Sequence, residues 1–147
     1  MNGAQTLPDL SIFLIGDSRF LLRLVSANLA PLAVEAILLG HGADESILTR
    51  FNATDIRTSK LLILALSRSS NEPVVVLAQA GLAQFIGVVP LLIISDRPFM
   101  ADPVRNIFHL PFPFGADALQ QSVTDLLARA ARSGATKRHV ATNSMSR

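Results

Sequence analysis

Five short apolar runs recur along the chain, and glycine, proline or polar residues follow each of them. They occupy residues 11–16, 34–40, 61–66, 89–95 and 106–110. Continuous apolar runs of this length are typical of strands that are buried on both faces of a sheet. The pattern therefore predicts five buried β-strands.

Four segments after these runs have apolar residues at helical spacing. Asp17 or Ser18 is expected to cap the first helix, and Asn71 is expected to cap the third, which has Pro73 in its first turn. The predicted apolar stripes are Phe20, Leu21, Leu24, Val25, Leu29 and Leu32; Ile47, Leu48 and Phe51; Val74, Leu77, Ala78, Leu82 and Phe85; and Ala116, Leu119, Val123, Leu126, Leu127 and Ala130.

Strands that alternate with helices indicate parallel pairing, because parallel neighbours need a crossover connection. Five such strands predict an α/β fold with a doubly wound, five-stranded parallel sheet in the flavodoxin-like order 2-1-3-4-5. In this architecture ligands bind beyond the carboxyl ends of the strands, near the switch point between the first and third strands. The residues of interest are therefore Asp17 and Ser18, residues 65–69, Ser95 and Asp96, and residues 112–114.

Composition limits the function further. The 147 residues include no cysteine, half are hydrophobic and 16% are charged, which predicts one compact domain without disulfides or thiol chemistry. Polar residues and proline interrupt the long apolar stretches at 20–39 and 74–94, so no membrane insertion is expected. No basic segment precedes an apolar one at the N-terminus, and we expect a soluble, cytoplasmic protein.

Charge is distributed unevenly along the chain. Residues 1–128 have a net charge of −3, whereas residues 129–147 have a net charge of +5 and no acidic residue. We expect a domain at residues 11–132, preceded by an extension at 1–10 and followed by a basic, disordered tail at 133–147. The tail is the one feature that favours nucleic-acid binding, which we do not otherwise expect.

The residues favour neither a metal site nor an enzyme. His41, His109 and His139 are scattered, and neither a serine-nucleophile motif nor a phosphate-binding loop is present. Asp17 and Asp96 are weak candidates for Mg²⁺, because acids at such positions more often cap helices or face solvent. We therefore expect no cofactor and no catalysis.

The order of elements resembles the receiver domain of bacterial response regulators, the CheY-like fold, over residues 11–132. The matching stretches are IFLIGDS at the first strand, VPLLIIS at the fourth and LPFPFGADALQQSV from the fifth strand into the last helix. The interval of 30 residues between Ala65 and Ser95 also fits the family. The resemblance implies an acidic pair that holds Mg²⁺, a phosphoacceptor aspartate, a hydroxyl and a lysine at the ends of the strands.

Most of these groups are missing at the matching positions. The acidic pair falls on Gly16 and Asp17, the phosphoacceptor on Ala65, the hydroxyl on Ser95 and the lysine on Phe112. No carboxylate occurs between residues 60 and 71, so a shift of one residue does not restore the site. The resemblance therefore implies a degenerate pseudo-receiver that cannot be phosphorylated.

The resemblance accounts for the sequence HLPFPFG at the end of the fifth strand. Pro113 matches the family's turn proline, which implies a cis Phe112–Pro113 bond, and Phe112 is expected to fill apolar space that a lysine would cross. Pro111 and Phe112 are departures from the family, and His109 falls at the switch aromatic of the fifth strand. The ten residues before this strand, DRPFMADPVR, are too short and proline-rich for a full helix, which predicts a shortened fourth helix.

Two main hypotheses of function follow. The first is an atypical receiver domain that binds a signalling or regulatory protein without phosphorylation, and whose high hydrophobicity also favours a homodimer. The alternative is a flavodoxin-like sensor or enzyme that binds a small ligand or nucleotide at the strand ends.

Overall fold

The structure is a computed structural model that describes residues 12–39, 53–67 and 72–129. Five parallel strands form one sheet in the order β2-β1-β3-β4-β5. All five predicted strands and their order are confirmed. Their bounds are β1 (Ile12–Gly16), β2 (Val34–Leu38), β3 (Leu61–Leu66), β4 (Leu91–Ser95) and β5 (Ile107–Pro111).

In the described residues three helices connect the strands from β1 to β4, and a fourth helix follows β5. They are α1 (Arg19–Leu29), α2 (Ala53–Arg57), α3 (Pro73–Gln79) and α4, which is described from residue 116 to residue 129. Between β4 and β5, where the resemblance predicted a shortened fourth helix, residues 96–106 form only one short 3₁₀ turn, Pro103–Arg105. This prediction is confirmed, and α4 in the present numbering is the helix after β5. No helix in the described ranges is long and apolar enough to cross a membrane.

The sheet has apolar packing on both faces, as the continuous apolar runs predicted. Successive strand residues such as Ile63 and Leu64 belong to separate core clusters, because their side chains point to opposite faces of the sheet. One cluster includes Leu77 and Phe85, and the other packs against α1 and α4. Each fully buried leucine or isoleucine contributes about 1.5–3 kcal/mol of hydrophobic free energy. The strand β2 differs, because it lies at an edge of the sheet and Glu35 and Ala36 are exposed.

Three of the predicted helical stripes were wrong in part, and in the last of them Ala116 is exposed. In α1 the buried residues are Leu21, Leu22, Val25 and Leu29, whereas Phe20 and Leu32 are exposed. Leu32 is not on the stripe because the helix ends at Leu29.

The α3 stripe fails for a similar reason. Val74 and Ala78 are exposed, and the helix ends at Gln79, before Gly81, which has a positive φ of 82°. Leu82 and Phe85 are buried in the turn that follows the helix. The N-cap is Glu72, without a side-chain capping bond, and not the predicted Asn71.

Several predictions fall outside the described residues. They are the extension at 1–10, the first strand residue Ser11, the stripe of Ile47, Leu48 and Phe51, residues 68 and 69 after β3, Ala130 of the last stripe, the positions of His41 and His139, and the basic tail at 133–147. The predicted end of the second strand at Gly40 is wrong, because β2 ends at Leu38.

Candidate functional site

The strand ends that the sequence singled out lie together at the carboxyl edge of the sheet. Gly16 is paired in register with Ala65, and Leu66 is paired with Ser95. Ser95 of β4 is in turn paired with Pro111 of β5. The sheet therefore brings together the ends of β1, β3, β4 and β5, as expected for a parallel arrangement.

Gly16 has no room for a side chain. A Cβ atom at this position would lie 2.8 Å from the carbonyl oxygen of Ala65 and 2.9 Å from Cδ2 of Leu22. The backbone of β3 and the first turns of α1 thus occupy the space that a carboxylate would need. The glycine is required here by close approach of β1 to its neighbours.

Asp17 contacts the end of β3. Its Oδ1 accepts hydrogen bonds from the backbone N–H of Ser67 at 3.0 Å and from the Ser67 hydroxyl at 3.2 Å. The cap of α1 is Ser18, whose hydroxyl accepts from the N–H of Leu21 at 3.3 Å. Of the two predicted caps, Ser18 is therefore correct, and Asp17 instead joins two loops across the top of the sheet. Sequence reasoning missed this role because the partners are 50 residues apart and no local pattern relates them.

Ala65 lies inside the core. Its exposed fraction is 0%, and it belongs to the cluster that includes Ile63, Leu21 and Ile94. The next residue, Leu66, is also buried, and Ser67 is the first residue of β3's end that is partly exposed. Position 65 therefore offers neither a nucleophile nor access from solvent.

Ser95 is buried, with an exposed fraction of 3%, and its hydroxyl has two hydrogen-bond partners within the protein. Its Oγ donates to the carbonyl oxygen of Arg97 at 3.1 Å and lies 3.1 Å from Nε2 of His109. The imidazole ring of His109 contacts the ring of Phe99, with centroids 5.9 Å apart. His109 is thus brought next to Ser95. Its contact with Phe99 was not predicted from the sequence.

Phe112 and Pro113 form the turn into α4. The Phe112–Pro113 bond is cis, as predicted, and a second cis bond that the sequence did not predict joins Ala30 and Pro31. The half-buried ring of Phe112 packs against the core cluster and edge-on against Phe114, with centroids 5.8 Å apart. Pro111 is part of β5 and not an addition beyond the strand, which corrects the predicted end at residue 110.

A small cavity opens at the ends of β3 and β4. Its volume is about 120 Å³, and its lining includes Leu66, Glu72, Ser95 and Arg97. Neither Asp17 nor Phe112 is among its lining residues. Among the residues that the structure describes, no cluster of three or more histidine or acidic side chains is suited to a metal ion.

A larger groove follows the outer side of β5. It has a volume of about 340 Å³ and lies between β5, α4 and the connecting segment, by which we mean residues 96–106. Its lining includes Ala101, Phe108, His109, Asp125 and Arg129. The guanidinium of Arg129 lies 5.2 Å above the ring of Phe108, within the range of a cation–π contact.

The connecting segment is unusually exposed for its apolar composition. The exposed fractions of Met100 and Val104 are 89% and 94%. An ion pair between Arg105 and Asp102, 3.0 Å long, lies at the same end of the segment. Both ions are themselves well exposed, so this pair contributes little stability.

Solved structures with the same architecture identify the fold. The chain is similar to a response regulator receiver domain protein from Bacillus halodurans, with a TM-score of 0.57 and 18% identity over 80% of this chain and 96% of that one. It is similar to a two-component transcriptional regulator from Clostridium phytofermentans, with a TM-score of 0.60 and 11% identity over 86% and 98% of the two chains. The chain has the receiver-domain fold.

A third similar structure is a putative pilus assembly-related protein from Burkholderia pseudomallei. Its TM-score is 0.58, with 12% identity over 83% of this chain and 92% of that one. No protein-family model and no curated protein sequence matches the chain. At these identities the likeness defines the receiver-domain fold and leaves the chemistry of the strand ends to be inferred from the chain's own residues.

Proposed function

We propose that this chain is a pseudo-receiver, a receiver-like domain that is not phosphorylated and that acts by binding another protein in bacterial signalling or regulation. In this proposal Ala65 occupies the phosphoacceptor position, Gly16 and Asp17 occupy the acidic pair, and Phe112 occupies the lysine position. Ser95 and His109 are the remnants of the hydroxyl and the switch aromatic, and Pro113 retains the turn.

The burial of Ala65 is the observation that supports this proposal most directly. Phosphoryl transfer to a carboxylate needs an accessible nucleophile, a cation to balance the charge and ligands for a metal ion. Position 65 has a methyl group and is closed to solvent. The remaining carboxylate, Asp17, bonds Ser67, and the half-buried ring of Phe112 has no charge.

The test is exposure of the protein to acetyl phosphate, and separately to beryllofluoride, each with Mg²⁺. A phosphorylatable receiver domain serves as the positive control. We expect no acid-stable or labile mass increase and no change in the thermal unfolding midpoint of this chain. A labile gain of one phosphoryl group, or a clear rise in the midpoint with beryllofluoride, would reject the proposal.

The surface that we propose for protein binding is the connecting segment together with the groove beside it. Met100 and Val104 expose apolar side chains in the connecting segment, and the groove that this segment lines through Ala101 has an apolar wall formed by Ala101 and Phe108. Exposed apolar patches of this kind are typical of interaction sites. We also propose that the same surface supports a homodimer, and that the protein works in the cytoplasm.

The alternative function, a sensor or enzyme for a nucleotide, has less support. Sites for ligands of that size measure about 300–1,000 Å³. The cavity at the ends of β3 and β4 measures only about 120 Å³. A ligand screen that shifted the unfolding midpoint, with loss of the shift in a Ser95→Ala variant, would favour this alternative.

A further inference from the structure

The serine and histidine at the ends of β4 and β5 form a hydrogen-bond chain that has a direction. Ser95 Oγ has one proton, and the carbonyl oxygen of Arg97 can only accept. If the hydroxyl donates to Arg97, the contact of 3.1 Å with His109 requires that Nε2 has the hydrogen and donates to Oγ. The two contacts can therefore exist together only as Nε2–H to Oγ–H to carbonyl oxygen.

We propose that Ser95 and His109 are positioning residues, and that this hydrogen-bond chain holds the connecting segment in one conformation without phosphorylation or a ligand. The inference rests on the proposed function in one respect, because the segment that is held is the one proposed to bind a partner. The physical claim about its conformation can be tested without any partner.

Ser95 is suited to this role because it contacts three parts of the chain. Its side chain bonds the start of the connecting segment at Arg97 and the middle of β5 at His109. Its backbone carbonyl oxygen accepts from the N–H of Phe112 at 2.9 Å, in the turn that leads to α4. A single buried residue thus links the connecting segment, β5 and the turn.

Phe99 fixes the segment at a second point. Its ring is partly buried against the core cluster that contains Leu66 and Ile93, and it contacts the ring of His109. The end of the segment is held by backbone bonds that the N–H groups of Asp102, Arg105 and Asn106 donate, by bonds that the carbonyl oxygens of Asp102 and Asn106 accept from β5 and β4, and by the Arg105–Asp102 ion pair. Loss of the anchor at Ser95 removes the side-chain bond at the start of the segment and is therefore expected to make opening of the segment easier.

Amide hydrogen exchange of these three N–H groups tests the inference on dilute, full-length protein. The variants are Ser95→Ala, which removes both side-chain bonds, and His109→Phe, which keeps a ring beside Phe99 but removes Nε2. The matched control is Ser59→Ala. Ser59 and Ser95 are the two buried polar residues in the described part of the chain, and the Ser59 hydroxyl donates to Ile56 at 2.6 Å, just before β3 begins.

We expect exchange of the N–H groups of Asp102, Arg105 and Asn106 to accelerate about fivefold or more in Ser95→Ala and His109→Phe, as for the loss of one net hydrogen bond. Ser59→Ala should leave these rates unchanged, and Ser95→Thr should restore them. Equal rates in all variants would overturn the inference.

A second measurement uses the unmodified protein and does not depend on whether a variant folds. ¹⁵N NMR of the neutral His109 ring should show the hydrogen on Nε2, and the hydrogen on Nδ1 would overturn the inference. Neither measurement involves phosphorylation or partner binding, so this inference and the proposed function can fail separately.

Discussion

Gly16 shows how a single position at the end of β1 excludes an acidic side chain. We predict that Gly16→Ser destabilises the protein by about 1–3 kcal/mol, because the new Cβ would overlap the carbonyl oxygen of Ala65 and the side chain of Leu22. The measurement is the free energy of unfolding in urea. The matched control is Gly115→Ser, since a Cβ at Gly115 meets no atom within 4 Å. Equal stability of the two variants would show that β1 can move away from β3.

Ala65 permits a stricter test at the same scale. We predict that Ala65→Asp does not restore phosphorylation and lowers the free energy of unfolding by about 3 kcal/mol or more, because it buries an unpaired carboxylate. Ala118→Asp is the control, since Ala118 is exposed in the first turn of α4 and should change stability by less than about 0.5 kcal/mol. Detection of an acyl-phosphate in Ala65→Asp by mass spectrometry would contradict the burial of this position.

At the scale of elements, Asp17 joins the loop after β1 to the end of β3. We predict that Asp17→Ala costs about 1–3 kcal/mol, because the Ser67 N–H and hydroxyl lose a charged acceptor. Asp17→Asn should cost less, since an amide oxygen can still accept. Asp96→Ala, which removes an exposed acid at a neighbouring strand end, should change the unfolding midpoint very little. A comparable loss in Asp96→Ala would mean that net charge, and not the contact with Ser67, determines the effect.

The elements themselves were largely predictable from the sequence, and the contacts between them were not. β1, β3 and β4 are continuous apolar runs because both of their faces are buried, so their residues show the pattern directly. The exposure of Phe20 and Val74 was not predictable, because the sequence does not distinguish an apolar residue on the surface of a helix from one in the core.

The candidate site divides in the same way. The residues that we propose in place of the phosphoacceptor and the lysine, Ala65 and Phe112, can be named from the sequence alone. The bonds of Asp17 with Ser67 and of Ser95 with His109 join residues 50 and 14 positions apart, and they depend on strand register. Register is a property of the assembled sheet, which no local pattern encodes.

At the scale of the whole molecule, the carboxyl ends of the strands and the outer side of β5 differ in the surface that they offer to a ligand or a partner. The strand ends that would form a phosphorylation site contain internal hydrogen bonds and packed rings, and their cavity is small. The outer side of β5, in contrast, has a groove of about 340 Å³, and the connecting segment that lines this groove through Ala101 exposes two apolar side chains. Among the described residues, recognition therefore has more available surface at the edge of the sheet than at its strand ends.

This difference in available surface indicates where the proposed homodimer would form. A two-fold dimer uses the same patch on both copies, so a surface that has a groove and protruding side chains side by side can complement itself. We expect a reversible dimer in sedimentation velocity, with its dissociation constant raised about tenfold or more in the Met100→Ser/Val104→Ser double variant, because two apolar contacts are lost.

The control for the dimer is Phe20→Ser, because Phe20 is also exposed but lies in the first turn of α1, after β1, and β3 and β4 separate β1 from β5. Since all three residues are exposed, the free energy of unfolding of the monomer should change by less than about 0.5 kcal/mol in either variant. A monomer at all concentrations would remove the homodimer from the proposed function. A dimer weakened equally by Phe20→Ser would assign the interface to another face, because a contact through the connecting segment has no physical reason to depend on a side chain in α1.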